Sequence, residues 1–167
     1  FGDEQFRIVV NAGTADKDYA WLAGLRDARA PAVALEARRD LAIVAVQGPL
    51  AREKASAALP QLAVAAAQLK YFHAAQVGEF MIARTGYTGE DGVEIFAPVA
   101  QAADVWQRLT AQGVPPVGLA ARDTLRLEAG MCLYGQDLDE ATTPLAAGLA
   151  WTVVLGGARD FIGKAAL

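Results

Sequence analysis

Apolar positions alternate with polar ones in short runs, and the period changes several times along the chain. Phe6 to Val10 is β-branched and apolar, a strand pattern closed by the turn residues Asn11-Ala12-Gly13. Asp16 is a natural N-cap for a helix, because Tyr19, Leu22 and Leu25 recur at helical spacing between Lys17 and Arg29, with Pro31 as the stop. Val33 to Glu36 and Leu41 to Val46 read as strands about the charged turn Arg38-Arg39-Asp40, and Gln47-Gly48-Pro49 ends the second. Ala51 to Leu59 and Pro60 to Leu69 are alanine-rich helical stretches. Phe72 to Val77 and Glu79 to Thr85 form a hairpin pattern about Gly78, and Val93 to Ala97 is a further strand. Val99 to Thr110 is helical, with Val99, Ala103, Trp106 and Leu109 on one stripe. Leu119 to Ala129 is helical and ends at Gly130, and Trp151 to Leu155 reads as a last strand.

Strands arriving in adjacent pairs between helices predict an α+β fold with mostly antiparallel sheets and packed helices. No linker stands out; Pro115-Pro116 marks a possible boundary between sub-layers near 113–117. The 167 residues, 54% hydrophobic and 20% charged, suit a folded globular chain. Fifteen basic against nineteen acidic residues, a formal charge of −4, argue against a general nucleic-acid surface. The apolar run Leu59 to Leu69 is broken by Pro60, Gln61 and Gln68 and is too short for a bilayer, so no membrane partner is expected. One cysteine, Cys132, forbids an internal disulfide, the habit of a reducing compartment such as the bacterial cytoplasm. With His73 as the only histidine, a His/Cys zinc site lacks ligands, so no metal is expected and chemistry rests on carboxylates or a bound cofactor.

Three segments carry candidate chemistry. In Arg84-Thr85-Gly86-Tyr87-Thr88-Gly89-Glu90-Asp91-Gly92-Val93-Glu94-Ile95, a glycine-rich turn feeds a strand, and Glu94 lies on the face opposite Val93 and Ile95. A rigidly held carboxylate there accepts two parallel N–H bonds; a solvated hairpin turn has the same pattern. In Gly118 to Gly130, Arg122 and Arg126 stand one helical turn apart and call for an anion, either a ligand carboxylate or a protein acid such as Asp123. Leu133 to Glu140 is an acidic loop without the ligand spacing of an EF-hand, read as solvated. Cys132 reads as a small buried side chain, and His73 as a satisfied strand residue.

Together RTGYTGEDGVE (84–94), GLAARDTLRLEAG (118–130), Leu133 to Glu140, Thr143-Pro144 with Gly148-Leu149-Ala150-Trp151, Val9 to Ala12 and LAIVAVQGP (41–49) resemble the glycine-cleavage T-protein family, in the same order and from end to end of the chain. The resemblance implies ferredoxin-like layers and an aminomethyltransferase that moves a one-carbon unit from the aminomethyl-lipoyl arm of H-protein to tetrahydrofolate, releasing ammonia. It implies that Glu94 grips the pterin, that Arg122 serves the folate site, and that Tyr87, Asn11 and Val9 line it; Tyr71 matches only loosely. The family's catalytic aspartate is expected upstream of Phe1; Asp3 lies near that place but outside the motif. On this reading the chain is a central fragment without the family's further N-terminal part and C-terminal domain, and is inactive alone. Rival readings are a folate-binding factor of tRNA modification or iron-sulfur assembly, whose Lys-Gly-Cys-aromatic motif is absent at Phe161 to Lys164, and the folate domain of a sarcosine or dimethylglycine dehydrogenase.

Overall fold

A computed structural model describes residues 4–167, so Asp3 lies outside the described residues. The chain divides into two units, residues 1–41 and 42–167; the 113–117 stretch belongs to the second.

In the first unit a 3-10 turn, Ala12–Thr14, leads into helix α1, Ala15–Arg29. Thr14, and not Asp16, stands at its N-terminus, where the Thr14 hydroxyl donates to Asp18 Oδ2 at 2.7 Å. Asp16 and Asp18 in the first turn and Arg26 and Arg29 in the last complement the helix dipole. The helix ends before Pro31 as expected. Residues 6–10, expected as a strand, are irregular, with Phe6 81% exposed. A β-branched run becomes a strand only where a second backbone meets its N–H and C=O groups, and no such pairing occurs for it among the described residues. Residues 33–36 are irregular for the same reason.

The second unit is built on a four-stranded sheet of order β1-β4-β3-β2, with β1 Leu41–Gln47, β2 Ala74–Val77, β3 Phe80–Ala83 and β4 Gly92–Pro98. β3 runs antiparallel to β2 and to β4, in the registers Val77↔Phe80 and Ala83↔Glu94. The β2–β3 turn has Gly78 at φ +59, a left-handed conformation that suits the first position of a two-residue hairpin. Alternation sorts β4 cleanly. Val93, Ile95 and Ala97 face the main core with Val46 and Ile82, whereas Phe96 joins Met81 and Ala83 in a second cluster on the other face.

Helices cover the main core. Ala51, Ala55 and Ala58 of α2 (Ala51–Ala58) recur one turn apart and are small, which brings the helix backbone close to the sheet. Leu59 and Leu62 come next, then α3 (Ala63–Gln68), whose last carbonyls accept from Arg52: Ala66 at 3.0 Å and Ala67 at 2.9 Å. α4 (Ala102–Ala111) buries Val105 and Leu109, whereas Val99, Ala103 and Trp106 of the expected stripe turn outward. Val99–Gln101 is a 3-10 turn, which puts Val99 out of phase with the helix that follows, and within α4 the buried pair Val105 and Leu109 stands four residues apart. α5 (Leu119–Glu128) stops at Gly130, φ +71, as expected. The expected strand 151–155 is instead a 3-10 turn, Ala150–Thr152, and irregular chain. The α+β class with a predominantly antiparallel sheet and packed helices stands.

Candidate functional site

The glycine-rich segment is a loop clamped at its ends. Arg84 holds Asp91 by two parallel bonds, Nε to Oδ1 at 2.9 Å and Nη2 to Oδ2 at 3.0 Å, and donates through Nη1 to the Leu69 carbonyl at 3.1 Å. Its guanidinium carbon lies 3.9 Å from the centre of the Tyr71 ring. This bidentate partner, with the Gly92 N–H at 2.9 Å, holds the Asp91 carboxyl below its ordinary value of 3.8. Tyr71 is thus tied to loop closure.

Glu94 emerges from β4 on the face opposite Val93 and Ile95, as its place in the alternation requires, and is half-buried. Its Oε2 accepts the Thr85 hydroxyl at 2.5 Å. The carboxylate is thereby tethered from the loop that precedes it. Two residues after Thr85, the Tyr87 hydroxyl donates to the Cys132 carbonyl at 2.5 Å, and the Arg122 guanidinium lies 5.2 Å from the centre of the Tyr87 ring. The Thr85–Tyr87 stretch therefore touches both the strand carboxylate and the exposed arginine of α5.

The two arginines of α5 do not share an anion. Arg126 is only 3% exposed and is satisfied by Asp123 at 2.8 Å, the Met131 carbonyl and Gln136 Oε1 at 3.1 Å each, and the Asp137 carboxylate. It organises the 131–137 loop, so the protein-acid alternative holds for Arg126 and the ligand alternative is left to Arg122. The acidic loop is correspondingly ordered: Asp137 accepts the Leu133 N–H at 2.8 Å, and Asp139 accepts the Ala141 N–H and the Thr142 hydroxyl at 2.9 Å each. Both carboxyls titrate below the ordinary range, Asp137 first through its backbone N–H bond and then through Arg126, Asp139 first through Thr142. Cys132 is half-buried with Sγ 3.8 Å from the Ala147 carbonyl, and exposed His73 has Nδ1 2.9 Å from the Tyr71 carbonyl.

Of the predicted site residues, Glu94, Tyr87 and Arg122 lie in the second unit around one loop. Val9 and Asn11 lie in the first unit and are exposed; the Asn11 carbonyl accepts the Thr14 N–H at 3.2 Å. Sequence reasoning missed Thr85 and Gln47. Gln47 Nε2 donates to the Thr85 carbonyl at 3.1 Å and to the Val93 carbonyl at 3.2 Å. The available signal was a polar residue ending an otherwise apolar strand and two glycines, Gly86 and Gly92, in the facing loop.

A strand carboxylate and a helix arginine are thus both reached from one clamped glycine-rich turn of an α+β domain. Residues 1–156 match the family described as the GCVT N-terminal domain. Over its whole length the chain is 58% identical to an aminomethyltransferase of Paraburkholderia phymatum, and over 97% of it 59% identical to an aminomethyltransferase of Nitrosomonas europaea. The chain spans just under half of each, 46% and 45%. The crystal structure of glycine cleavage system aminomethyltransferase T from Bartonella henselae superimposes with a TM-score of 0.70 at 36% identity, over 86% of this chain and 38% of that one. The chain belongs to the GCVT N-terminal domain family.

Proposed function

We propose that this chain forms the tetrahydrofolate-binding part of an aminomethyltransferase, one that transfers a one-carbon unit from the aminomethyl-lipoyl arm of H-protein to tetrahydrofolate with release of ammonia. The observation that carries it is Glu94: a half-buried carboxylate, fixed on a central strand, with one oxygen held by Thr85. The amino-pyrimidine edge of a pterin offers two adjacent N–H donors, and a carboxylate of fixed plane meets both. Arg122, exposed above the Tyr87 ring, supplies a cation to the same ligand, with Tyr87 as a lining residue. The names of the similar proteins, aminomethyltransferases of bacteria, support this reading over the tRNA-modification and dehydrogenase alternatives.

Holding the folate in one orientation brings its N5 to the aminomethyl carbon of the carrier arm. The contribution of these residues is positioning and charge complementarity. Calorimetry with tetrahydrofolate on the intact polypeptide that carries this chain tests it. Replacing Glu94 with Ala weakens binding by about 1–3 kcal/mol, on the order of 5- to 150-fold, because ligand donors lose their acceptor. Equal affinity of Glu94→Ala and the parent removes Glu94 from the site.

A further inference from the structure

The plane of a glutamate carboxylate is not set by its own torsion, since the terminal χ3 of Glu is broad. A carboxylate that must meet two parallel donors therefore needs something else to hold it. Thr85 does so, donating its hydroxyl to Glu94 Oε2 at 2.5 Å. Thr85 itself is held through its carbonyl by Gln47 Nε2 at 3.1 Å, and the same nitrogen donates at 3.2 Å to the carbonyl of Val93, the residue before Glu94. An amide nitrogen carries two hydrogens, so both bonds form together. One side chain from the end of β1 thereby fixes the spacing between the loop that carries Thr85 and the strand that carries Glu94.

The loop is shaped around this tether. A Cβ on Gly86 would lie far inside contact with the Gln47 amide oxygen, and a Cβ on Gly92 would come within 2.7 Å of Gln47 Cδ. Both positions admit only glycine while Gln47 keeps its place. The Gln47 Oε1 atom is buried with no hydrogen-bond partner among the described residues. An unpaired buried acceptor is destabilising, a cost that an apolar side chain of the same length would not incur. A residue present only to fill this space has no reason to be glutamine; the two Nε2 bonds are what the glutamine adds.

Resting on the folate reading above, we infer that Gln47 and Thr85 are positioning residues of the ligand site: Gln47 sets the loop-to-strand distance, and Thr85 pins Oε2 so that the rest of the Glu94 carboxylate faces the ligand. Neither touches the ligand itself.

The test uses the intact polypeptide, tetrahydrofolate calorimetry and thermal melting, with Thr85→Val, Thr85→Ser, Gln47→Met and Glu94→Ala. Thr85→Val weakens binding about tenfold, Thr85→Ser restores it to within about twofold, and Gln47→Met weakens it about fivefold, the range expected for one hydrogen bond. In the Glu94→Ala background Thr85→Val has no further effect, because its target is gone. In turnover the change falls on KM for folate and leaves kcat within about twofold. Should Thr85→Val fail to fold, Thr85→Ala carries the same comparison. Glu94→Ala weakened with Thr85→Val and Gln47→Met unchanged overturns the positioning roles and leaves the site standing. Equal losses from Thr85→Val in both backgrounds make Thr85 merely structural. No binding by the parent, or none lost in Glu94→Ala, overturns the folate reading and this inference with it.

Discussion

Arg126 and Arg122 differ by one helical turn and sit in opposite environments, set by what surrounds each guanidinium. Arg126 is buried at 3% exposure and spends its donors on Asp123, Asp137, Gln136 and the Met131 carbonyl; Arg122 is exposed above an aromatic ring. Replacing Arg126 with Met is expected to destabilise the chain by about 2–3 kcal/mol. That lies below the range for a fully buried pair, because Asp123 and Asp137 keep 46% and 39% exposure and are rehydrated in part. Urea denaturation measures it, and a loss under about 0.5 kcal/mol would mean that the loop does not depend on this arginine. The same substitution at Arg122 is expected to leave stability within about 0.5 kcal/mol, as for an exposed side chain.

At the scale of elements, the loop between β3 and β4 is organised by what glycine permits. Gly92 begins β4 beside β1, where a Cβ would crowd the Val46 carbonyl and lie 2.7 Å from Gln47 Cδ. Gly92→Ala is therefore expected to cost about 1–3 kcal/mol by forcing β1 and β4 apart, a strain that backbone atoms relieve poorly. Gly24, inside α1, meets nothing within 4 Å, and Gly24→Ala is expected to stabilise that helix by about 0.5–1 kcal/mol. Thermal melts of the two variants should move in opposite directions, and a common direction would contradict the steric account. The same logic explains which expected strands failed. Val46, Val93 and Ile82 form strands because the sheet pairs them, whereas residues 6–10 and 151–155 have equal propensity and no pairing among the described residues.

For the molecule as a whole, acid is the expected weak point. Arg38 holds Asp40 at about 2, Arg84 lowers Asp91, and the Leu133 N–H and then Arg126 lower Asp137. Each carboxyl is more acidic folded than unfolded, so its contribution is complete above its unfolded value near 3.8 and is lost as pH falls through the folded value. Stability should hold level from neutrality to about pH 5 and decline between about pH 4 and 2. Circular dichroism in a urea series across that interval measures the decline. Asp91→Asn should lower stability at pH 7 and make the decline shallower, and an unchanged slope would exclude the Arg84–Asp91 clamp as a contributor. No helix among the described residues is long and apolar enough to cross a membrane.

What the chain determines by itself is local and periodic. Alternation placed Glu94 opposite Val93 and Ile95, glycine and proline marked the ends of α1, β1 and α5, and the ordered motifs marked the family. Only the tertiary structure decided which apolar runs would be strands, that α4 buries Val105 where Trp106 was expected, and that one amide from β1 ties Thr85 to the neighbour of Glu94. Those outcomes depend on pairings across tens of residues, between groups whose positions no local period encodes. Glu94 could be read from its strand; what holds its carboxylate still could not.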